Sequence, residues 1–235
     1  WLPSAAPLSV AEVLALKSRQ PGSASGHTDR LLALVDEALD ALLASREREG
    51  ARLAASLRER TAQLRALAQQ AQPLWAASAP QRRADVLDTI GSEILARCAE
   101  LADLLAREEG KALSDATGEG VRAGHIFKFF AGEALRIQGE TLASVRPGVQ
   151  VDITREPVGV VGLIAPWNFP FAIPAWKIAP ALAYGNTVVF KPAELVPACG
   201  AALAEIISRA QLPAGVFNFV VGSGREVGQT LVDSP

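Results

Sequence analysis

Three short runs of strand-forming residues constrain the second half of this chain more than anything else in it. Residues 158–164 are continuously apolar with two glycines, and residues 187–190 and 216–221 are further runs of the same kind. Helical stretches at about 171–183 and 196–210 separate them. Strand, helix, strand, helix, strand is a pair of βαβ units, which predicts a parallel sheet with right-handed crossovers. Unbroken apolar runs predict strands buried on both faces. Ligands of such sheets bind beyond the carboxyl ends of the strands. Here those ends carry Pro166-Trp167-Asn168, then Lys191-Pro192-Ala193-Glu194, then Gly222-Ser223-Gly224.

The preceding part reads as helical. Residues 1–28 are rich in Pro, Ser, Gly and Ala and are expected to be mostly loop, with a short helix near 8–17. From 29 to about 71, Leu31, Leu34, Val35, Ala38, Leu39, Leu42 and Leu43 fall at helical spacing. The stripe is narrow, so it needs a partner surface. Ser78-Ala79-Pro80-Gln81 reads as a capping box with proline in the first turn. The helix behind it carries Val86, Leu87, Ile90, Ile94, Leu101 and Leu105 on one face and stops at 108–111. Another helix is expected over 114–135, with Phe127, Phe129 and Phe130 as core contacts. Gly118, Gly120 and Gly124 inside it lower helix propensity and imply close helix packing. Val151 and Ile153 alternate with polar residues, as in a half-buried strand.

The 235 residues suffice for one large domain or two small ones. A net charge of −2 points to no nucleic-acid partner and no acidic membrane. No apolar stretch is long enough to read as a transmembrane helix, and no secretory signal is visible. The two cysteines, Cys98 and Cys199, lie in no metal-ligand spacing, so neither a metal site nor a disulfide framework is expected. A reducing, cytoplasmic setting fits this usage. The chain starts at Trp1, contains no Met and ends on Val-Asp-Ser-Pro. A fragment of a longer reading frame is expected, with a processed or engineered chain as the alternative.

The strand ends offer distinct chemistry. The neutral amide of Asn168 suits donation to a developing oxyanion, and Pro166 and Pro170 would hold it in place. The alternative is that Asn168 caps the following helix. Lys191 and Glu194 suit a ribose, or form a surface ion pair worth little. The pattern Gly222-x-Gly224-x-x-x-Gly228 resembles a dinucleotide turn but equally suits a tight strand-to-helix connection. Lys177 could pass protons if buried, or snorkel to solvent.

The runs EPVGVVGLIAPWNFPFAIPAWKIAPALAYGNTVVFKPAELVP and LPAGVFNFVVGSGREVGQTL resemble the aldehyde dehydrogenase superfamily. The resemblance covers about residues 70–235, from QPLWAASAPQRRADVLDTIGSEIL through EEGKAL to the end. IFKFFAGEALRIQGE looks closest to members acting on semialdehydes such as 2-oxoglutarate semialdehyde. The resemblance implies NAD(P)+-dependent oxidation of a small-molecule aldehyde to a carboxylate through a cysteine thioester that a glutamate-activated water cleaves. It implies that Asn168 is the side-chain oxyanion donor and Lys177 a proton-relay lysine. Ile164, Pro166, Trp167, Asn168, Lys191, Pro192, Ala193, Glu194 and Gly224 would line the cofactor. Glu194 would repel a 2′-phosphate, so NAD+ is expected, with NADP+ as the alternative. The family's nucleophile and general base would lie beyond Pro235, and Cys98 and Cys199 read as small core residues. The implied fold is α/β: a helical N-terminal region, then an incomplete Rossmann-like parallel sheet of the aldehyde dehydrogenase type. A strand over 151–154 would belong to the hairpin by which full-length members form homo-oligomers.

The first part differs. PLSVAEVLAL and DRLLALVDEALDALLASREREGARLAASLRERTAQL resemble the YicC-type bacterial endoribonuclease family over about residues 5–66. Two segments follow from this: 1–69, a helical segment foreign to the rest, and 70–235, a cofactor-binding part truncated before its catalytic domain. The chain alone is expected to be inactive toward aldehydes. The rival readings are a non-catalytic nucleotide-binding module and an RNA-processing protein led by the N-terminal helices.

Overall fold

The computed structural model describes residue 11 and residues 24–234. The short helix expected near 8–17 therefore lies, apart from Ala11, outside the described residues. The chain divides into two compact units, Trp1–Leu53 and Ala54–Pro235. A helix, α1 (Ala24–Ala76), begins in the first and runs without a break past position 70. In the first unit its stripe of Leu31, Leu34, Val35, Leu39, Leu42 and Leu43 is more than half exposed at every position. The periodicity is helical as expected, but the surface it needs is not found among the described residues of that unit.

The second unit carries the two βαβ units. Strands β3 (Val160–Ile164), β4 (Thr187–Lys191) and β5 (Phe217–Phe219) form a parallel sheet in that order, after a separate antiparallel hairpin of β1 (Glu140–Ala143) and β2 (Gln150–Ile153). Val160 pairs with Thr187, Ile164 with Lys191, and Val188 with Phe217. The crossovers are α5 (Ala172–Ala183) and α6 (Pro197–Arg209). β4 is central, and every residue in it is buried. Its side chains alternate as a pleated strand must. Val188 and Phe190 join a core made by α2 (Pro80–Ala96), α3 (Cys98–Glu109), α4 (Leu113–Ala134), α5 and α6. Val189 faces the opposite side with Val220 and Val227, against Leu57, Leu64 and Ala68 of α1.

The part of α1 from Ala54 onward is thus a sheet-covering helix. The Trp75 indole, 1 % exposed, donates to Leu182 O at 3.1 Å. Thr187 Oγ1 donates to Ala68 O at 3.0 Å. Gly215, at φ +86°, lies so close that a Cβ there would meet Leu67 O at 2.5 Å, an approach only glycine permits.

Several expectations are corrected. β3 is not buried on both faces. It is a sheet edge, Ile164 is 39 % exposed, and Leu163 is its buried side chain. β2 is exposed throughout, because the hairpin has no layer behind it among the described residues. Ser78 builds no capping box: its hydroxyl donates back to Trp75 O at 2.6 Å, and Ala79 is the N-cap residue of α2 without a side-chain bond. The helix expected to run to residue 109 breaks at Arg97, at φ −97° and ψ 12°. Close packing explains two of the three α4 glycines expected to pack closely. A Cβ at Gly124 would meet Leu95 Cγ at 2.6 Å and one at Gly120 would meet Cys98 Sγ at 3.0 Å, whereas Gly118 faces open space. No described helix is long and apolar enough to cross a membrane.

Candidate functional site

The parallel register of β3 and β4 brings their ends level, and Ala165 N donates to Lys191 O at 3.2 Å one step beyond the ladder. Residues 165–171 and 192–196 therefore leave the sheet side by side. Pro166 is half-buried, while Trp167 and Asn168 are exposed.

Asn168 does not cap the helix that follows it. The N–H groups of Phe171 and Ala172 donate instead to Glu119 Oε1 of α4, at 2.8 and 3.1 Å. A buried carboxylate at a helix N-terminus satisfies orphan donors and faces the positive end of the dipole. Among the described residues the Asn168 carboxamide makes no hydrogen bond. Its backbone oxygen accepts from Lys111 Nζ at 2.8 Å. The PWNFP loop is thus anchored through its backbone, and its amide side chain is uncommitted. Lys177 is exposed on α5, and its ammonium donates to Ile164 O at 2.8 Å, which ties it to the end of β3.

At the next strand end Lys191 is only 3 % exposed. Its ammonium donates to Pro192 O at 3.0 Å, its one acceptor among the described residues. A buried ammonium with unfilled donor positions is costly unless a ligand supplies acceptors. Glu194 is exposed and accepts the Gly224 N–H at 2.5 Å. Lys191 and Glu194 form no ion pair with each other. Pro192 is buried against α6, where a Cβ at Gly200 would meet its own Cβ at 2.6 Å, and Ala193 packs against the main core. A Cβ at Gly228 would lie 3.9 Å from Lys191 Cε, so the glycine turn closes over the lysine stem. That turn is a tight connection: Gly224–Gly228 is π-helical, Ser223 Oγ accepts Glu226 N at 3.1 Å, and a Cβ at Gly222 would strike Val227 Cγ2 at 2.3 Å. A ribose, with two adjacent hydroxyls, fits a carboxylate acceptor beside a buried ammonium donor.

Cys199 is poorly suited to attack a carbonyl. Cys199 is buried at the start of α6, and burial, then the neighbouring Glu108, pushes its thiol well above the ordinary value. A nucleophile needs the thiolate, which this site disfavours. Cys98 is half-buried and its Sγ donates to Thr117 O at 3.5 Å.

Three residues that hold the site are not apparent from sequence pattern alone. Lys111 donates to Glu119 Oε2 at 2.6 Å, lies 3.2 Å from Glu109 Oε2, and stands 4.2 Å over the Phe169 ring. Burial pulls its ammonium down, but the hydrogen bonds and charges of Glu119 and Glu109 outweigh this and leave it above the ordinary lysine value. Glu108 accepts the N–H groups of Ala198 and Cys199, each at 2.7 Å, and so caps α6. One signal was present: Glu119 is a carboxylate among Ala116, Gly120 and Ala123 on the buried stripe of α4.

The aldehyde dehydrogenase family model matches residues 36–235. The chain belongs to the aldehyde dehydrogenase family. The 2,5-dioxopentanoate dehydrogenase of Saccharolobus solfataricus is 46 % identical over 158 residues, 67 % of this chain and 33 % of that protein. A solved NADP-dependent enzyme of E. coli superposes with a TM-score of 0.74 at 38 % identity, over 76 % of this chain and 37 % of that one. An NAD-dependent benzaldehyde dehydrogenase from Corynebacterium glutamicum superposes with a TM-score of 0.70 at 36 % identity, over 74 % and 38 %. The α/β fold with its partial parallel sheet is the one shared with these solved structures. The chain spans about a third of the length of the curated relatives it matches.

Proposed function

We infer that this chain is the NAD(P)+-binding part of an aldehyde dehydrogenase that oxidises a semialdehyde to a carboxylate. The observation that carries the reading is a buried Lys191 ammonium, one acceptor filled, at the end of β4, three residues before the Glu194 carboxylate that the turn after β5 holds. Lys191 and Glu194 would hold the adenosine ribose, with Pro192 and Ala193 shaping the strand exit and Gly224 leaving room beside the carboxylate. Ile164, Pro166 and Trp167 would line the same crevice. When bound, the cofactor accepts hydride from the substrate carbon. Asn168 donates its amide N–H to the substrate oxygen as negative charge develops there, at little reorganisation cost because its loop is anchored from behind. Lys177 stands at the end of β3, where an ammonium can hold or pass a proton.

A semialdehyde is favoured over other aldehydes by the likeness to a 2,5-dioxopentanoate dehydrogenase. The high thiol value of Cys199 supports binding without turnover in this chain. The exposed β1–β2 hairpin would serve association between copies of the full-length protein.

The test is a fluorescence titration of the 235-residue chain with NAD+. Saturable quenching that weakens in Trp167→Phe is expected, with no reduced cofactor formed when 2,5-dioxopentanoate is added. Steady formation of reduced cofactor, abolished by Cys199→Ser or Cys98→Ser, would overturn the assignment of the cysteines. Absence of any saturable NAD+ response would overturn the cofactor assignment.

A further inference from the structure

One turn, residues 108–111, reaches both loops of the candidate site. Gly110 takes the left-handed conformation, φ 87° and ψ 13°, and closes α3 by donating to Ala106 O at 3.1 Å. The reversal sends the two flanking side chains to different places. Glu108, before it, accepts Ala198 N and Cys199 N at the start of α6, directly behind the Lys191–Glu194 loop. Lys111, after it, donates to Asn168 O and to Glu119, whose other oxygen caps α5. Lys111 and Glu119 side chains are 13 % and 1 % exposed, so this is a largely desolvated pair with every strong partner in place.

We propose that this turn is a positioning device: Lys111 sets the Asn168 loop, Glu108 sets the Lys191–Glu194 loop, and the rigid turn between them fixes the spacing of the two. Both residues act through the loops and touch neither cofactor nor substrate. The ligand consequence rests on the cofactor reading above; the loop consequence does not.

The two arms separate experimentally. Amide hydrogen exchange is followed by mass spectrometry in the 235-residue chain for wild type, Lys111→Ala, Lys111→Arg and Glu108→Gln. Loss of a charge-assisted bond should speed exchange about tenfold or more in peptides over 166–172 in Lys111→Ala, with 196–200 unchanged. Glu108→Gln should do the reverse, and Lys111→Arg should restore the wild-type pattern. In parallel, Lys111→Ala should weaken NAD+ about tenfold with AMP affinity unchanged, whereas Glu108→Gln weakens both. Uniformly faster exchange across all peptides, no change at 166–172, or failure of Lys111→Arg to restore it, each overturns the proposal. If exchange separates as stated but wild type binds neither NAD+ nor AMP, the positioning device stands and the cofactor reading fails.

Discussion

Glu194 Oε1 accepts the Gly224 N–H at 2.5 Å, so the carboxylate that follows β4 is held by the turn that follows β5. This bond fixes the negative charge at one place between two strand ends. A dinucleotide with a free 2′-hydroxyl would donate to that carboxylate, whereas a 2′-phosphate would be repelled. Glu194→Gln keeps an acceptor and removes the charge. The expected result is a preference for NAD+ over NADP+ that narrows by about tenfold or more, read as the ratio of two dissociation constants. An unchanged ratio would place the source of discrimination elsewhere.

Gly124 and Gly118 lie six residues apart on one helix and should respond oppositely to alanine. A Cβ at Gly124 meets Leu95 at 2.6 Å, and Gly91 O lies at 3.1 Å. Overpacking there should lower unfolding free energy by about 1–3 kcal/mol. At Gly118 nothing lies within 4 Å, so alanine should raise it by about 0.5–1 kcal/mol through helix propensity. Urea midpoints decide the signs.

Trp75 tests whether the end of α1 belongs to the core of the second unit. It is 1 % exposed and its indole N–H satisfies Leu182 O. Trp75→Ala should cost about 3–5 kcal/mol. Trp75→Phe should cost less, because Leu182 O keeps the Gly185 N–H at 3.1 Å and loses one hydrogen bond, at about 0.5–1.5 kcal/mol. A Trp75→Ala chain as stable as wild type would remove α1 from the fold's core.

Alkaline pH should expose the buried thiol. Burial, then Glu108, raises the folded Cys199 thiol above its ordinary 9.0. The folded state therefore holds this proton more tightly than the unfolded chain. Its contribution is fully present below pH 9.0 and is lost as pH rises through the interval above that value. Lys111 behaves with the same sign above 10.5, since its folded value is also raised. Cys199→Ala should flatten the alkaline decline from pH 9.0 upward, including the part above 10.5 that Lys111 shares, so that only the Lys111 contribution remains there. Equal slopes in the two chains would contradict the buried-thiol account.

The sheet and its crossovers were readable because the sequence changes period there: α5 and α6 begin and end within a residue or two of expectation. The three strand ends also carry the residues the structure brings together, Lys191, Glu194 and Gly224 among them. What could not be read depends on partners distant in sequence. Glu119 caps a helix that starts more than fifty residues later, and Glu108 does so across an even longer interval. Ser78 and Gln81 have the spacing of a capping box, yet Ser78 satisfies the end of the preceding helix instead. An apolar run such as 158–164 reports a strand but not which neighbours it has, and β3 is an edge in this chain.

The measurement that bears most directly on the central claim is calorimetric titration of NAD+ into the 235-residue chain and its Glu194→Ala variant, with thermal unfolding recorded for both. The account predicts one saturable site in wild type, affinity lower by about tenfold or more in the variant, and closely similar unfolding midpoints. Equal affinity in the two chains, or no binding by wild type, would contradict it.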